Sequence, residues 1–104
     1  MLKNNFFNFI FASFIDLLSK EKFGIVLVNK FIEKTKDESI ISLIINFIRK
    51  NFMDIAENQY ANYLIQYVLE EWRNTPEGNE IKEIVFKNFQ LMSEKKYDLY
   101  FRYT

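Results

Sequence analysis

The stretch from Gln59 to Gln66 reads Gln-Tyr-Ala-Asn-Tyr-Leu-Ile-Gln, and related residues recur 37 positions before and after it. Phe23, Tyr60 and Tyr97 follow one another at that spacing, and the same offset aligns apolar residues along the whole chain without a gap. The aligned sets are Phe7/Ile44/Ile81, Ile10/Phe47/Ile84, Phe11/Ile48/Val85, Ile15/Phe52/Phe89 and Leu18/Ile55/Met92. One apolar pattern that recurs at one spacing indicates an array of similar structural units.

The apolar residues within each unit follow the three-or-four-residue spacing of an α-helix. The chain of 104 residues has only 2 Gly and 1 Pro, so few turns interrupt the helices and one domain at most is expected. Asn51 and Asn88 are weak helix formers at equivalent positions, and a break is predicted near each. The sequence therefore predicts an all-α fold with helices at about 5–18, 22–35, 39–57, 59–73, 79–92 and 95–104.

Composition argues against several functional classes. The chain has 14 basic and 14 acidic residues, so no strong positive field indicates a nucleic-acid partner, and no DNA partner is expected. It contains neither Cys nor His, which removes thiolate chemistry, the commonest general base and the usual transition-metal ligands. No phosphate-binding loop, nucleophile elbow or ligand cluster is present. We expect no catalysis, no cofactor and no metal site.

The apolar stretch 6–18 raises the question of a membrane segment. It is too short to span a bilayer and contains Asn8, Ser13 and Asp16. It also aligns with 43–55 and 80–92 in the repeat, so we expect a helix of a unit rather than a targeting sequence. With no membrane partner expected and no cysteine present, which fits a reducing compartment, a cytoplasmic protein is predicted.

The helix predicted at 59–73 has two different faces. At about 100° per residue, an arc of about 100° contains its buried stripe. That stripe consists of Ala61, Leu64, Ile65, Val68 and Trp72. Asn62, Tyr63 and Gln66 project from another side. Two amides and an aromatic ring can bind the edge and the face of an unpaired base, although the same residues also suit an ordinary solvated helix face.

The segment Gln-Tyr-Ala-Asn-Tyr-Leu-Ile-Gln-Tyr-Val-Leu-Glu resembles the base-reading helix of a Pumilio (PUF) repeat, in which Tyr-Gly-Asn-Tyr, two aliphatic residues and Gln follow one another. Family repeats have nearly the same length and stack into an α-solenoid, each repeat reading one base of single-stranded RNA. The resemblance implies a partial array: a trailing helix at 1–18, units at 19–55 and 56–92, and the start of a unit at 93–104. It also implies post-transcriptional regulation through untranslated regions of messenger RNA, with the nucleolus as an alternative location because some relatives act in ribosome assembly.

The family's functional positions carry over unevenly. In the second unit Asn62 and Gln66 match the pair that reads the base edge, and Tyr63 matches the stacking residue, a combination that prefers uracil in the family. In the third unit Tyr100 matches the stacking residue and Tyr103 an edge position. The first unit retains only Asn29 as a polar edge residue. The expected RNA contacts are therefore Asn62, Tyr63, Gln66, Tyr100, Asn29 and Tyr103.

A protein-interaction scaffold is the alternative. Ile25 and Leu99 at edge positions cannot form base hydrogen bonds, and Val26 at a stacking position has no ring. A solenoid of this kind would keep its packing and lose most of its RNA affinity. We also expect apolar residues of the first segment, such as Phe7 and Phe14, to be partly exposed and to favour self-association.

Overall fold

The computed structural model describes residues 4–88 of the chain. Every regular element within those residues is an α-helix, which confirms the all-helical fold class. The helices are α1 (Asn4–Ser19), α2 (Lys22–Lys34), α3 (Glu38–Lys50), α4 (Phe52–Glu57), α5 (Asn62–Glu71) and α6 (Pro76–Lys87). The helix expected at 95–104 and the unit expected at 93–104 lie outside the described residues.

The predicted break at Asn51 is confirmed, and its geometry recurs at Asn88. Asn51 separates α3 from α4, and both its backbone N–H and its side-chain amide donate to the Phe47 carbonyl, at 3.1 and 2.9 Å. Asn88 ends α6 in the same way, donating to the Ile84 carbonyl at 3.2 and 2.8 Å. In both places the side-chain amide binds the same carbonyl as the backbone N–H does, and a helix ends at two positions that are 37 residues apart.

The starts of α5 and α6 differ from the sequence prediction by three residues in opposite directions. Helix α5 begins at Asn62 instead of 59, because the Asn58 side-chain oxygen accepts from the N–H groups of Tyr60 and Ala61, both at 2.9 Å. These bonds close a turn that competes with the helix. Helix α6 begins at Pro76 instead of 79, with Thr75 as its N-cap. Proline at the first helical position needs no N–H partner, so Thr-Pro was the start signal.

The junction between α1 and α2 depends on Gly24, the third residue of α2. A Cβ at this position would overlap the Leu18 carbonyl oxygen and lie 2.9 Å from the carbonyl carbon. Gly24 is buried, so the beginning of α2 passes directly against the end of α1. The equivalent residue of the next unit, Ala61, is fully buried as well.

Helices related by the 37-residue offset lie beside each other. Helix α2 packs against α5, α3 packs against α6, and α1 packs against both α2 and α3. Ile44 on α3 and Ile81 on α6 are equivalent at this offset, and both are fully buried. Helix α4 extends to Glu57 and so crosses the unit boundary expected between 55 and 56. The division into units stays a prediction.

Two ion pairs connect helices that are distant in sequence. Lys20 donates to Asp54 at 2.5 Å, joining the end of α1 to α4, and this hydrogen bond raises the pKa of Lys20 above its ordinary value. Arg49 of α3 pairs with Glu80 of α6. Both pairs are partly exposed, and such pairs contribute no more than about 1 kcal/mol each. Burial of the apolar side chains is therefore the main source of stability.

Candidate nucleic-acid interface

A groove of about 520 Å³ lies where α2 packs against α5. Three tyrosines provide much of one wall: Tyr60 lies in the turn before α5, and Tyr63 and Tyr67 lie one turn apart on α5. The groove is lined by Lys22, Ile25, Val26, Asn29, Tyr60, Tyr63, Gln66, Tyr67 and Glu70. It therefore contains three of the predicted RNA contacts, Asn29 from α2 and Tyr63 and Gln66 from α5.

The exposed ring of Tyr63 is the main aromatic surface of this groove. Its side chain is 49% exposed, while the next residues along α5, Leu64 and Ile65, are fully buried. Val26, which lies 37 residues before Tyr63, is 60% exposed and lines the same groove. The two faces predicted for this helix are confirmed. A planar ligand could lie against the Tyr63 ring, with only an aliphatic side chain at the equivalent position of α2.

The two amides of α5 do not project independently, contrary to the expectation from the helical wheel. Gln66 Nε2 donates to Asn62 Oδ1 at 3.0 Å, and Asn62 Nδ2 donates to the carbonyls of Asn58 and Gln59 at 2.7 and 3.1 Å. Both side chains are half-buried, and Asn62 does not line the groove. Asn62 therefore positions Gln66, since its own donors are already bound within the helix.

Part of the Gln66 side-chain amide is free to bind a ligand. One Nε2 hydrogen bonds to Asn62, and no described residue donates to Gln66 Oε1. The free part consists of one acceptor and one donor on the same planar group. That is the arrangement that can bind the edge of an unpaired base, and it needs only one side chain.

Asn29 occupies the position of α2 that corresponds to Gln66. Its Oδ1 atom is buried and has no hydrogen-bond partner among the described residues. Leaving a buried acceptor unpaired costs roughly 1–3 kcal/mol. A ligand that donates a hydrogen bond would remove this cost if the Asn29 side chain turned to expose the oxygen in the groove. The sequence identified Asn29 only through the resemblance, and nothing in the sequence indicated that its oxygen lacks a partner.

Four further lining residues were not predicted as contacts: Lys22, Tyr60, Tyr67 and Glu70. Burial raises the pKa of Tyr67, and the negative charges of Glu71 and Glu33 raise it further. Its hydroxyl therefore stays protonated at neutral pH and donates to Glu71 at 3.3 Å. Glu70 is paired with Arg73 at 3.0 Å. The i, i+3, i+7 spacing of tyrosines could have identified Tyr60 and Tyr67 from the sequence.

No family model, no curated protein and no solved structure matches this chain. The resemblance to Pumilio repeats stays a prediction that rests on the residues quoted above. Tyr100 and Tyr103 lie outside the described residues, so their expected contribution to the interface also stays a prediction.

Two searches within residues 4–88 bear on other kinds of site. No group of three or more acidic residues there is arranged to hold a metal ion. None of the helices in that range is long and apolar enough to cross a bilayer.

Proposed function

We propose that the groove between α2 and α5 binds an unpaired base of single-stranded RNA, as a unit of a Pumilio-like α-solenoid. The observation that carries the proposal is the composition of this groove. It combines an exposed tyrosine ring, the free edge of the Gln66 amide and the unpaired Asn29 oxygen. An unpaired base offers a π-face and a hydrogen-bonding edge, and its ribose offers a hydroxyl.

The chemistry of the groove favours uracil. The base stacks on Tyr63, Gln66 Oε1 accepts from the uracil imide N–H, and the free Gln66 Nε2 hydrogen is donated to a uracil carbonyl. A turn of the Asn29 side chain would expose its unpaired Oδ1 atom in the groove, where it would accept from the ribose hydroxyl that distinguishes RNA from DNA. Asn62 takes part indirectly, because its hydrogen bond holds the Gln66 amide in place.

The packing of equivalent helices supports an array of such sites. Helices α2 and α5 stand 37 residues apart and lie side by side, so each further unit of this kind would add one groove. A stacked base contributes roughly 1–3 kcal/mol, and a millimolar complex corresponds to about −4 kcal/mol. A single groove therefore binds weakly, and useful affinity requires several consecutive units. Regulation of messenger RNA is the cellular role that the resemblance suggests.

A protein-interaction scaffold is the second candidate, and the apolar part of the groove favours it. Ile25 and Val26 line the groove without a ring or a polar group. A partner with an apolar side chain could occupy the same space. Base identity distinguishes the two candidates. A groove that reads a base binds some oligonucleotides more tightly than others, whereas a groove for an apolar protein side chain has no preference among bases.

NMR titration with short oligonucleotides tests the proposal, because chemical-shift changes report millimolar binding. Oligouridine should shift the signals of Tyr63, Gln66 and Asn29 more strongly than oligocytidine or oligodeoxyuridine does. Tyr63→Ala should weaken binding of every base by roughly 1–3 kcal/mol with little change in preference.

Gln66→Glu tests the reading of the base edge. A carboxylate only accepts hydrogen bonds, so the preference should move from uracil towards guanine, whose edge offers donors. Gln59→Glu is the matched control, because Gln59 is an exposed glutamine outside the groove and the substitution adds the same charge. Equal shifts with all oligonucleotides, unaffected by Gln66→Glu, would overturn the RNA proposal and favour the scaffold.

A further inference from the structure

An apolar surface separate from the groove covers the outer side of α1 and α2. Its members are six large side chains that are each 41–68% exposed: Phe7, Ile10, Phe14, Leu17, Leu27 and Phe31. The four members on α1 fall within an arc of about 80°, at about 100° per residue. Ring contacts at 6.1 Å, from Phe7 to Phe11 and from Phe11 to Phe31, make the surface continuous between the two helices. We call it the α1–α2 apolar face.

The residues of this face are exposed, whereas most of the residues 37 positions later in the chain are buried. Leu27 is 61% exposed, whereas Leu64 at the equivalent position of α5 is fully buried. Phe7 is 50% exposed, whereas Ile44 at the equivalent position of α3 is fully buried. Leu64 belongs to α5, which packs on α2, and Ile44 belongs to α3, which packs on α1. The α1–α2 apolar face therefore has the composition of a helix-packing interface.

We propose that a second copy of this chain covers the α1–α2 apolar face in a two-fold symmetric dimer. The six side chains expose on the order of 600 Å² of surface, and their exposed neighbours Phe6 and Phe23 bring this to about 900 Å². A stable interface buries about 800 Å² per partner, whereas the largest apolar patch on a typical monomer covers about 300–600 Å². The area thus matches that of a dimer interface.

Charge and symmetry favour a second copy over other partners. None of the six side chains carries a charge, and the whole chain has a formal net charge of zero, so two copies do not repel each other. In a two-fold dimer each apolar face is buried by an identical one, so no other surface needs to be complementary. The groove lies between α2 and α5 and uses none of the six residues, so this proposal does not depend on the proposed RNA function.

Sedimentation of the full chain over a concentration series tests the proposal. The wild type should form a dimer that dissociates on dilution, and Leu27→Glu should weaken dimerisation by at least about tenfold, since burying an unpaired charge in an interface is costly. Phe86→Glu is the matched control: Phe86 on α6 is 59% exposed and lies outside the face, so dimerisation should be unchanged. Far-UV circular dichroism should show equal helix content in all three proteins.

A thiol-reactivity measurement identifies the covered surface directly, because the natural chain has no cysteine. The thiol of Leu17→Cys should react with a maleimide at least about tenfold more slowly at concentrations where the dimer forms, whereas Phe86→Cys should react equally fast throughout. A monomer at every concentration would overturn the proposal. So would open-ended oligomers, which indicate head-to-tail stacking, or a dimer in which Leu17→Cys stays fully reactive.

Discussion

Leu27 and Leu64 allow one substitution to be compared in two environments. The two leucines stand 37 apart: Leu27 lies in the middle of α2 and Leu64 lies in the first turn of α5. Leu27 is 61% exposed and Leu64 is fully buried. Changing each to alanine removes the same atoms. A difference of several kcal/mol in the free energy of unfolding then reports burial, because helix propensities of leucine and alanine differ by only a few tenths of a kcal/mol.

The expected magnitudes follow from burial. Leu→Ala removes three carbon groups, each contributing about 0.8 kcal/mol when fully buried, so the loss for Leu64 starts near 2.4 kcal/mol. Because the surroundings of Leu64 are closed, a cavity adds to this loss, giving roughly 3–5 kcal/mol. The Leu27 side chain is only about two-fifths buried, and its truncation leaves no cavity. Leu27→Ala should therefore lower the free energy of unfolding by less than about 1 kcal/mol.

Urea denaturation followed by circular dichroism measures both losses. The measurement should be made at a concentration low enough for the chain to be monomeric, and repeated at high concentration. If the α1–α2 apolar face is buried in a dimer, the loss for Leu27→Ala grows with concentration, while the loss for Leu64→Ala does not. Equal losses for the two variants in the monomer would refute the conclusion that equivalent positions of the two units differ in burial.

Three further substitutions test local features. Gly24→Ala should lower the free energy of unfolding by roughly 1–3 kcal/mol, because a Cβ there overlaps the Leu18 carbonyl; an unchanged urea midpoint would show that α1 and α2 separate easily. Thr75→Ala should lower the free energy of unfolding by about 0.5–2 kcal/mol, because α6 loses its N-cap. Thr75→Ser keeps the hydroxyl and should retain most of that stability. Equal losses in the two variants would contradict the capping role. Hydrogen bonds from Ser39 lower the pKa of Asp37 below its ordinary value of 3.8. The stability due to these bonds is therefore present above pH 3.8 and disappears as the pH falls through the lower pKa of the folded state. Asp37→Asn should flatten this part of the curve of stability against pH, and the idea fails if the acid slope is unchanged.

The helical character and the burial pattern could be predicted because both depend on local sequence. The spacing of Leu64, Ile65 and Val68 determines which face of α5 is apolar, and all three are fully buried. The break at Asn51 was likewise visible, because asparagine is a poor helix former and its amide can bind the preceding turn. Such effects act within a few residues of the chain.

The details of the groove could not be predicted because they depend on which partner each polar atom selects. Helical spacing places Asn62 and Gln66 on one face, but it does not show that they bond to each other instead of to a ligand. It also does not show that Asn29 Oδ1 is buried without a partner among the described residues. The bond between Asn62 and Gln66 depends on the side-chain conformations chosen within α5, and Asn29 lines the groove that forms only when α2 packs against α5.

The matching helix ends at Asn51 and Asn88 have a consequence for growth of the chain by duplication. Each is followed by phenylalanine, Phe52 and Phe89, so a copy of 52–88 inserted after Asn88 would recreate the dipeptide Asn-Phe at the new joint. Each joint would then keep the side-chain bond to the carbonyl four residues earlier that ends the helix. The natural point for inserting a further 37-residue segment therefore lies at these half-buried helix ends, and not in the polar connections such as 35–37.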